Sequence, residues 1–219
     1  MQSIWRNTAG AIVLIGLCAG TASAGARAFD YNFITGGYEF GQASIAGAGT
    51  STTISADGPK FSGSWAIVPH IALLGAYQRL SLSNIPYLSS GHTSVYQLGV
   101  EGHGRVRPGL DVLGAVEYLH ESVNVSFDFP TVGPIGISGT TNGYEAKGGV
   151  RWWAVRRLEV DGTVGYRHWN CNCSNNPDTF LGAEARYYVL RDVSIDGAYT
   201  LYNHGGHLFE IAASYDFGR

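Results

Sequence analysis

The chain has 219 residues, of which only 14% are charged, 12% are aromatic and 31 are glycine. That charged fraction is far below the roughly 25% usual for soluble domains, and two lysines, Lys60 and Lys147, cannot furnish a densely charged surface. A formal net charge of -3 with no basic run points away from nucleic acid and from polyanionic partners.

In chain order, the first feature is an export signal. Arg6 supplies a positive start, Ala9 to Gly20 is mostly apolar, and Ala22-Ser23-Ala24 offers a small-x-small cleavage pattern. Residues 1–24 therefore read as a signal peptide cut between Ala24 and Gly25. A lipoprotein reading of Cys18 is weaker, because Leu17 precedes it where a small residue is expected. No later segment approaches the roughly 20 continuous apolar residues of a membrane-spanning helix. Residues 25–219 are expected to form one domain, and any membrane crossing falls to strands.

Alternation and turn residues predict ten strands, near 29–40, 61–68, 71–80, 94–104, 110–121, 143–153, 158–169, 179–190, 193–202 and 207–217, with eight as the alternative count. A stanza recurs among them. Leu110-Asp-Val-Leu-Gly-Ala-Val-Glu-Tyr118 returns as Leu158-Glu-Val-Asp-Gly-Thr-Val-Gly-Tyr166, and shorter copies begin at His70 and Val193. Short connections near Pro69, Arg105–Gly109, 154–157 and Arg191-Asp192 alternate with long ones near 41–60, 81–93, 122–142 and 170–178. The last connection, Asn203–Gly206, is short. Short turns at one end and long loops at the other are the organisation of an outer-membrane barrel.

Each strand has one apolar and one polar face. Tyr144, Ala146, Gly148, Val150 and Trp152 oppose Glu145, Lys147, Gly149, Arg151 and Trp153. Low charge and loop asymmetry turn the apolar face to lipid. Trp65, Tyr77, Tyr96, Tyr118, Trp152, Tyr166 and Tyr199 then form an interfacial girdle. The fold expected is all-β, an up-and-down antiparallel transmembrane β-barrel following a signal helix.

The opening Tyr31-Asn32-Phe33, followed by Gly36-Gly37-Tyr38, resembles the Tyr-Asn-Tyr…Gly-Gly-Tyr start of a family of small bacterial outer-membrane β-barrels. Some members of that family carry a quorum- or immunity-factor label. The resemblance runs through the Gly-x-Tyr strands to the end of the chain and implies architecture rather than activity. It also implies a Gram-negative outer membrane with lipopolysaccharide as the surroundings, and the barrel-assembly machinery as a partner. Such barrels usually end on an aromatic residue, whereas here Gly218 and Arg219 follow Phe217, so the assembly signal would be Tyr215-Asp-Phe217 with an overhang. No peptidoglycan-binding domain is expected.

Four groups of residues could carry function. Glu101, Glu117, Glu145, Lys147, Arg151, Asp161, Arg167, Glu184, Arg186, Asp196 and Glu210 should point into the lumen. Both signs crowd together in a barrel of small bore, which favours a salt-bridged plug over a narrow polar conduit. Cys171 and Cys173, close to His168, could bind metal with His204 and His207. Two exported cysteines favour a disulfide instead, with free or intermolecular thiols next. His120-Glu121 with Asp128, or His204, His207 and Glu210, could be written as a hydrolase site at the rim, but no nucleophile motif accompanies either set. The loops are the last candidate, with Gly41–Gly58 small and polar and the stretch from Phe127 to Ile137 apolar enough to fold over the mouth.

No catalytic residue, cofactor or metal site is assigned. The expected protein is a non-enzymatic, monomeric outer-membrane barrel acting structurally or through its extracellular loops, with a largely filled lumen. A narrow porin-like channel for small polar solutes is the alternative, and a rim-sited hydrolase the third reading. Any extracellular ligand is beyond what the residues name.

Overall fold

The computed structural model describes residues 28–47, 50–171 and 177–217. The expected signal peptide and the Ala24–Gly25 cleavage expected after it lie outside them, as do Cys173 and residues 218–219. Ten antiparallel strands form one sheet in chain order: β1 (Phe33–Gly47), β2 (Thr50–Val68), β3 (Ile71–Ser83), β4 (Leu88–Arg107), β5 (Leu110–Phe129), β6 (Gly133–Val155), β7 (Leu158–Trp169), β8 (Asp178–Tyr188), β9 (Val193–Tyr202) and β10 (His207–Asp216). β1 closes on β10, with Phe33 opposite Asp216 and Gln42 opposite His207, so the barrel is complete. Closure leaves no strand edge at the level of the lumen, and this satisfies backbone groups where water is absent.

The even strand count brings both ends of the barrel to the short-turn side. Outward side chains in the lower part are apolar and exposed, among them Ile34, Trp65, Leu98, Val100, Val116, Val164 and Ile195. An outer face of this kind is stable against lipid and not against water. Tyr77, Tyr96, Tyr118, Tyr144, Tyr166 and Tyr199 stand on that same face toward the other end, and ring pairs such as Tyr77 with Tyr96 (4.8 Å) join them into a belt.

Three expected loops are not loops. The described parts of 41–60, residues 41–47 and 50–60, together with 81–93 and 122–142, continue the flanking strands into hairpins that rise past the tyrosine belt. The β5–β6 hairpin keeps register from Leu110 opposite Trp152 up to Phe129 opposite Gly133, where Gly133 takes a positive φ of 83° to close the turn. Serine- and glycine-rich composition suggested loops here, but alternation persists through it. On the other side the wall stays low, with β7 to β10 only 10–12 residues long. The first strand also starts later than expected. Residues 28–32 precede β1 and pass into the lumen instead.

Candidate functional site

Inward side chains of the lower barrel build a charged lumen. All eleven residues expected there line two adjoining chambers of about 210 and 200 Å³. Glu39 and Lys60 join them, so eight carboxylates face five cationic side chains. Each cation but Arg167 is shared between carboxylates, and Arg167 shares Glu145 with Lys147. Lys60 lies 3.0 Å from Glu39 and 2.8 Å from Glu210, and Lys147 lies 2.5 Å from Glu117 and 3.7 Å from Glu145. Arg167 donates through Nε and Nη2 to one oxygen of Glu145. Arg151 bridges Asp161 (3.1 Å) and Glu159 (3.3 Å), while Arg186 stands within 3.6 Å of Glu159, Glu184 and Asp196. Ser194 and Ser214 donate to the two oxygens of Asp196. Sharing of this kind keeps ionised groups inside a narrow barrel, because the carboxylates of these clusters each face an opposite charge or a hydroxyl.

The floor of the lumen is aromatic. Phe29 stacks on Trp153 at 5.6 Å, and Trp153 meets Tyr188 at 5.3 Å. Tyr31 lies flat on His103, donates its hydroxyl to Asp111 at 2.9 Å, and sits under the Arg151 guanidinium at 4.9 Å. Arg151 Nη1 also donates to the backbone carbonyl of Asp30, and Asn32 accepts from the Ala66 amide. Tyr188 donates to Asp216. Thus the segment before β1 crosses the lumen and is held by β2, β4, β5 and β6, at the short-turn end. Sequence reasoning missed Asp111, Glu159 and Asp216, although parity with Glu117, Asp161 and Glu210 places them on the inward face. It missed Lys60 because residues 41–60 read as a loop, and it left out Glu39 although the expected strand 29–40 contained it. For Phe29 and Tyr31 no periodic signal existed, since the residues are not in a strand.

Above the tyrosine belt the sheet changes its dress. Leu80, Val95 and Leu119 are buried on the face that continues the lumen wall, and Leu119 is fully so. Alternation adds Val123, Val125, Phe127 and Phe129 to that face. Leu82, Leu88 and Val125 converge so closely that a Cβ on Gly91 would lie 3.2–3.3 Å from all three. Phe127 and Phe129 stack at 5.8 Å, and Tyr87 meets Phe129 at 5.4 Å. Arg79, Ser81, His92, Ser122, Asn124 and Asp128 occupy the opposite face. The wall above the belt is apolar inside and polar outside, the inverse of the wall below.

This tall wall has a free side. β7 pairs with β6 only from Gly143, opposite Trp169, to Val155. Among the described residues no strand pairs with Gly133–Asn142 on that side, although the Asn170 amide donates to the Asn142 carbonyl at 2.7 Å. No charged residue lies between Phe129 and Tyr144.

The rim residues do not assemble as written for a hydrolase. His120 faces out, with Nδ1 2.7 Å from Asn142 Oδ1, whereas Glu121 faces in and accepts from Thr93. Asp128 is exposed near the hairpin tip. His204 approaches Asp178 at 3.2 Å, His207 lies beside Tyr199 on the outside, and Glu210 is inside on Lys60. Cys171 is disulfide-bonded, and Cys173 lies outside the described residues. Among the described residues no group of three or more His, Cys, Asp or Glu side chains could hold a metal ion.

A closed barrel with an apolar outer belt and a charged bore defines a transmembrane β-barrel. No family model and no curated protein matches the chain. Solved structures of outer-membrane barrels do resemble it. The translocator domain of the autotransporter NalP from Neisseria meningitidis aligns over 88% of this chain and 91% of that one, with 11% identity and a TM-score of 0.57. Neisserial surface protein A covers 84% of this chain and 96% of its own at 9% identity and a TM-score of 0.45. Ail, the attachment invasion locus protein of Yersinia pestis, covers 86% and 100% at 10% identity and a TM-score of 0.45. The likeness is one of fold.

Proposed function

We propose that this is an exported, non-enzymatic outer-membrane barrel whose projecting hairpins serve as a surface-interaction platform. The observation that carries the reading is the free side of the tall wall. From Gly136 to Thr140 the alternate residues Gly136, Ser138 and Thr140 share the parity of Asn142, whose carbonyl points to the β7 side, so their backbone groups face outward along the edge. An uncharged edge with exposed donors and acceptors is a template for an added strand. The apolar inner face beside it offers room for every second side chain of that strand. The partner chemistry is therefore an extended polypeptide with apolar residues in alternation.

Lipopolysaccharide surrounds the tyrosine belt in this reading, the assembly machinery reads Tyr215-Asp-Phe217, and the barrel acts as a monomer. The family resemblance of the Tyr31-Asn32-Phe33 opening is kept at the level of architecture, because Tyr31 and Phe33 turn inward while Tyr38 turns out. A test replaces residues 122–140 by a two-residue Asn-Gly turn, which keeps Glu121 opposite Thr141, and compares adhesion of cells displaying equal amounts of folded barrel. Adhesion to immobilised protein surfaces should fall on trimming. Adhesion that is unchanged by trimming rules the platform out. Purified barrel that cleaves peptide or alters lipopolysaccharide would restore the rim-hydrolase reading.

A further inference from the structure

Side chains narrow the lumen to two chambers, and the charges that line them are not balanced. The two chambers carry three more carboxylates than cations, and Asp111, Glu159 and Asp216 lie buried at the floor beneath them. Every cation in the chambers already contacts one or more carboxylates, so none is left to receive an anion. An entering anion meets a fixed negative excess, whereas a small cation can be passed between carboxylates that share their partners loosely. Glu101 is the clearest case. It is buried, lines the larger chamber, and has His103 Nδ1 at 3.8 Å as its salt-bridge neighbour. Rows of carboxylates along a narrow bore select cations.

The two chambers adjoin, sharing Lys60, Lys147, Asp161, Glu184 and Glu210. Below them Phe29 and Tyr31 pack against Trp153 and Tyr188 of the wall and complete the floor. Those two rings, Phe29 and Tyr31, belong to the segment before β1, whose backbone joins the barrel's hydrogen-bonded ladder only at Asn32, where the carbonyl accepts from the Phe217 amide at 2.8 Å. Among its attachments into the lumen are a phenol on Asp111, one carbonyl under Arg151, two ring stacks and the Arg151 guanidinium over both rings. None of these is a rung of the ladder, so withdrawing Ala28–Tyr31 breaks no strand pairing.

We propose that the lumen is a conduit for small cations, held shut at its short-turn end by the segment Ala28–Tyr31. The inference goes beyond the surface reading and does not depend on it, since the hairpins and the floor lie at opposite ends of the barrel. The test is the current carried by refolded protein in a planar bilayer across a potassium chloride gradient. Only material with the gel shift of a folded barrel is used. Wild-type protein should be closed most of the time. Phe29→Ala combined with Tyr31→Ala should spend about tenfold more time open, as expected when two aromatic anchors are lost. Its reversal potential should lie on the potassium side. Glu101→Gln with Glu117→Gln in that background should move the reversal potential toward zero and leave the open time unchanged.

Should the double aromatic variant fail to fold, Phe29→Ala and Tyr31→Phe are measured singly. Tyr31→Phe keeps the ring and removes only the bond to Asp111, so a smaller rise in open time is expected. A folded variant no more open than wild type overturns the stopper, as does a wild-type protein that is already open. Current carried by chloride overturns the cation conduit. Loss of adhesion on trimming the hairpins, with these currents intact, separates the two functions.

Discussion

Below the tyrosine belt and above it, the same strands are dressed in opposite ways. On β5, outward Val112, Val116 and Tyr118 face lipid while Asp111 and Glu117 are buried inside. From Leu119 onward the odd positions become apolar, Glu121 excepted, and the even ones become mostly polar. The same reversal falls after Tyr77 on β3 and, on the descending strands, before Tyr96 on β4 and Tyr144 on β6. Strand geometry does not change across this line, so the solvent does. Lipid lies outside the lower wall and water outside the upper one, and each side chain follows its surroundings. The tyrosines mark the boundary because a ring with a polar tip suits neither side alone.

The largest expected effect breaks the lower region from within. Arg186→Ala leaves Glu159, Glu184 and Asp196 around a missing cation. Losing one partner of a buried ionic group costs about 3–5 kcal/mol. Urea unfolding in liposomes should show that loss, together with a weaker gel shift. Should the barrel stay folded and conduct more, Arg186 is an obstruction in the bore rather than a brace. No change in either stability or conductance would show that the inward charges do not act together.

Next in size is the outward face of the lower wall. Val100→Arg puts a charge against lipid and should cost about 2–4 kcal/mol if the site is near the bilayer midplane. A value near zero would remove the lipid from that face and with it the membrane reading of the lower wall. Leu119→Ala probes the first apolar position above the belt. Leu119 is fully buried, and its truncation should cost about 2–3 kcal/mol, at the lower end for buried leucine because the hairpin can relax. A destabilisation well below 1 kcal/mol would mean that the inner face of the tall wall is not packed.

Much of this was legible from residues because the lower wall obeys a strict period of two. Ten strands, the lipid-facing side and the eleven inward charges follow from alternation, and each of those side chains lines the lumen. The upper wall was lost at the reversal. Around Tyr118-Leu119 two apolar residues stand side by side, the period stumbles, and the serines, threonines and glycines beyond look like loop. Both parts are nonetheless regular strand, as the unbroken β5–β6 register shows. A reading that looked for the phase of alternation to invert at each tyrosine would have found the hairpins. Phe29 and Tyr31 could not be found in this way. Their partners, Trp153 and Asp111, are about 120 and 80 residues away, and nothing local announces them.

The smallest effect gives the sharpest test of the comparison. Asn124 shares its strand and its face with outward Val116, yet it lies above the belt. Asn124→Arg should change stability by no more than about 0.5 kcal/mol, as at an ordinary watered surface. The same charge at Val100 is expected to be several times more costly, although both positions point away from the barrel. If Asn124→Arg proved as costly as Val100→Arg, lipid or a tightly held partner would cover the upper wall as well. The reversal at the tyrosines would then not mark a water boundary, and the platform would have to be sought on the inner face alone. Measured together in one bilayer, the pair places the edge of the membrane between two positions of one sheet.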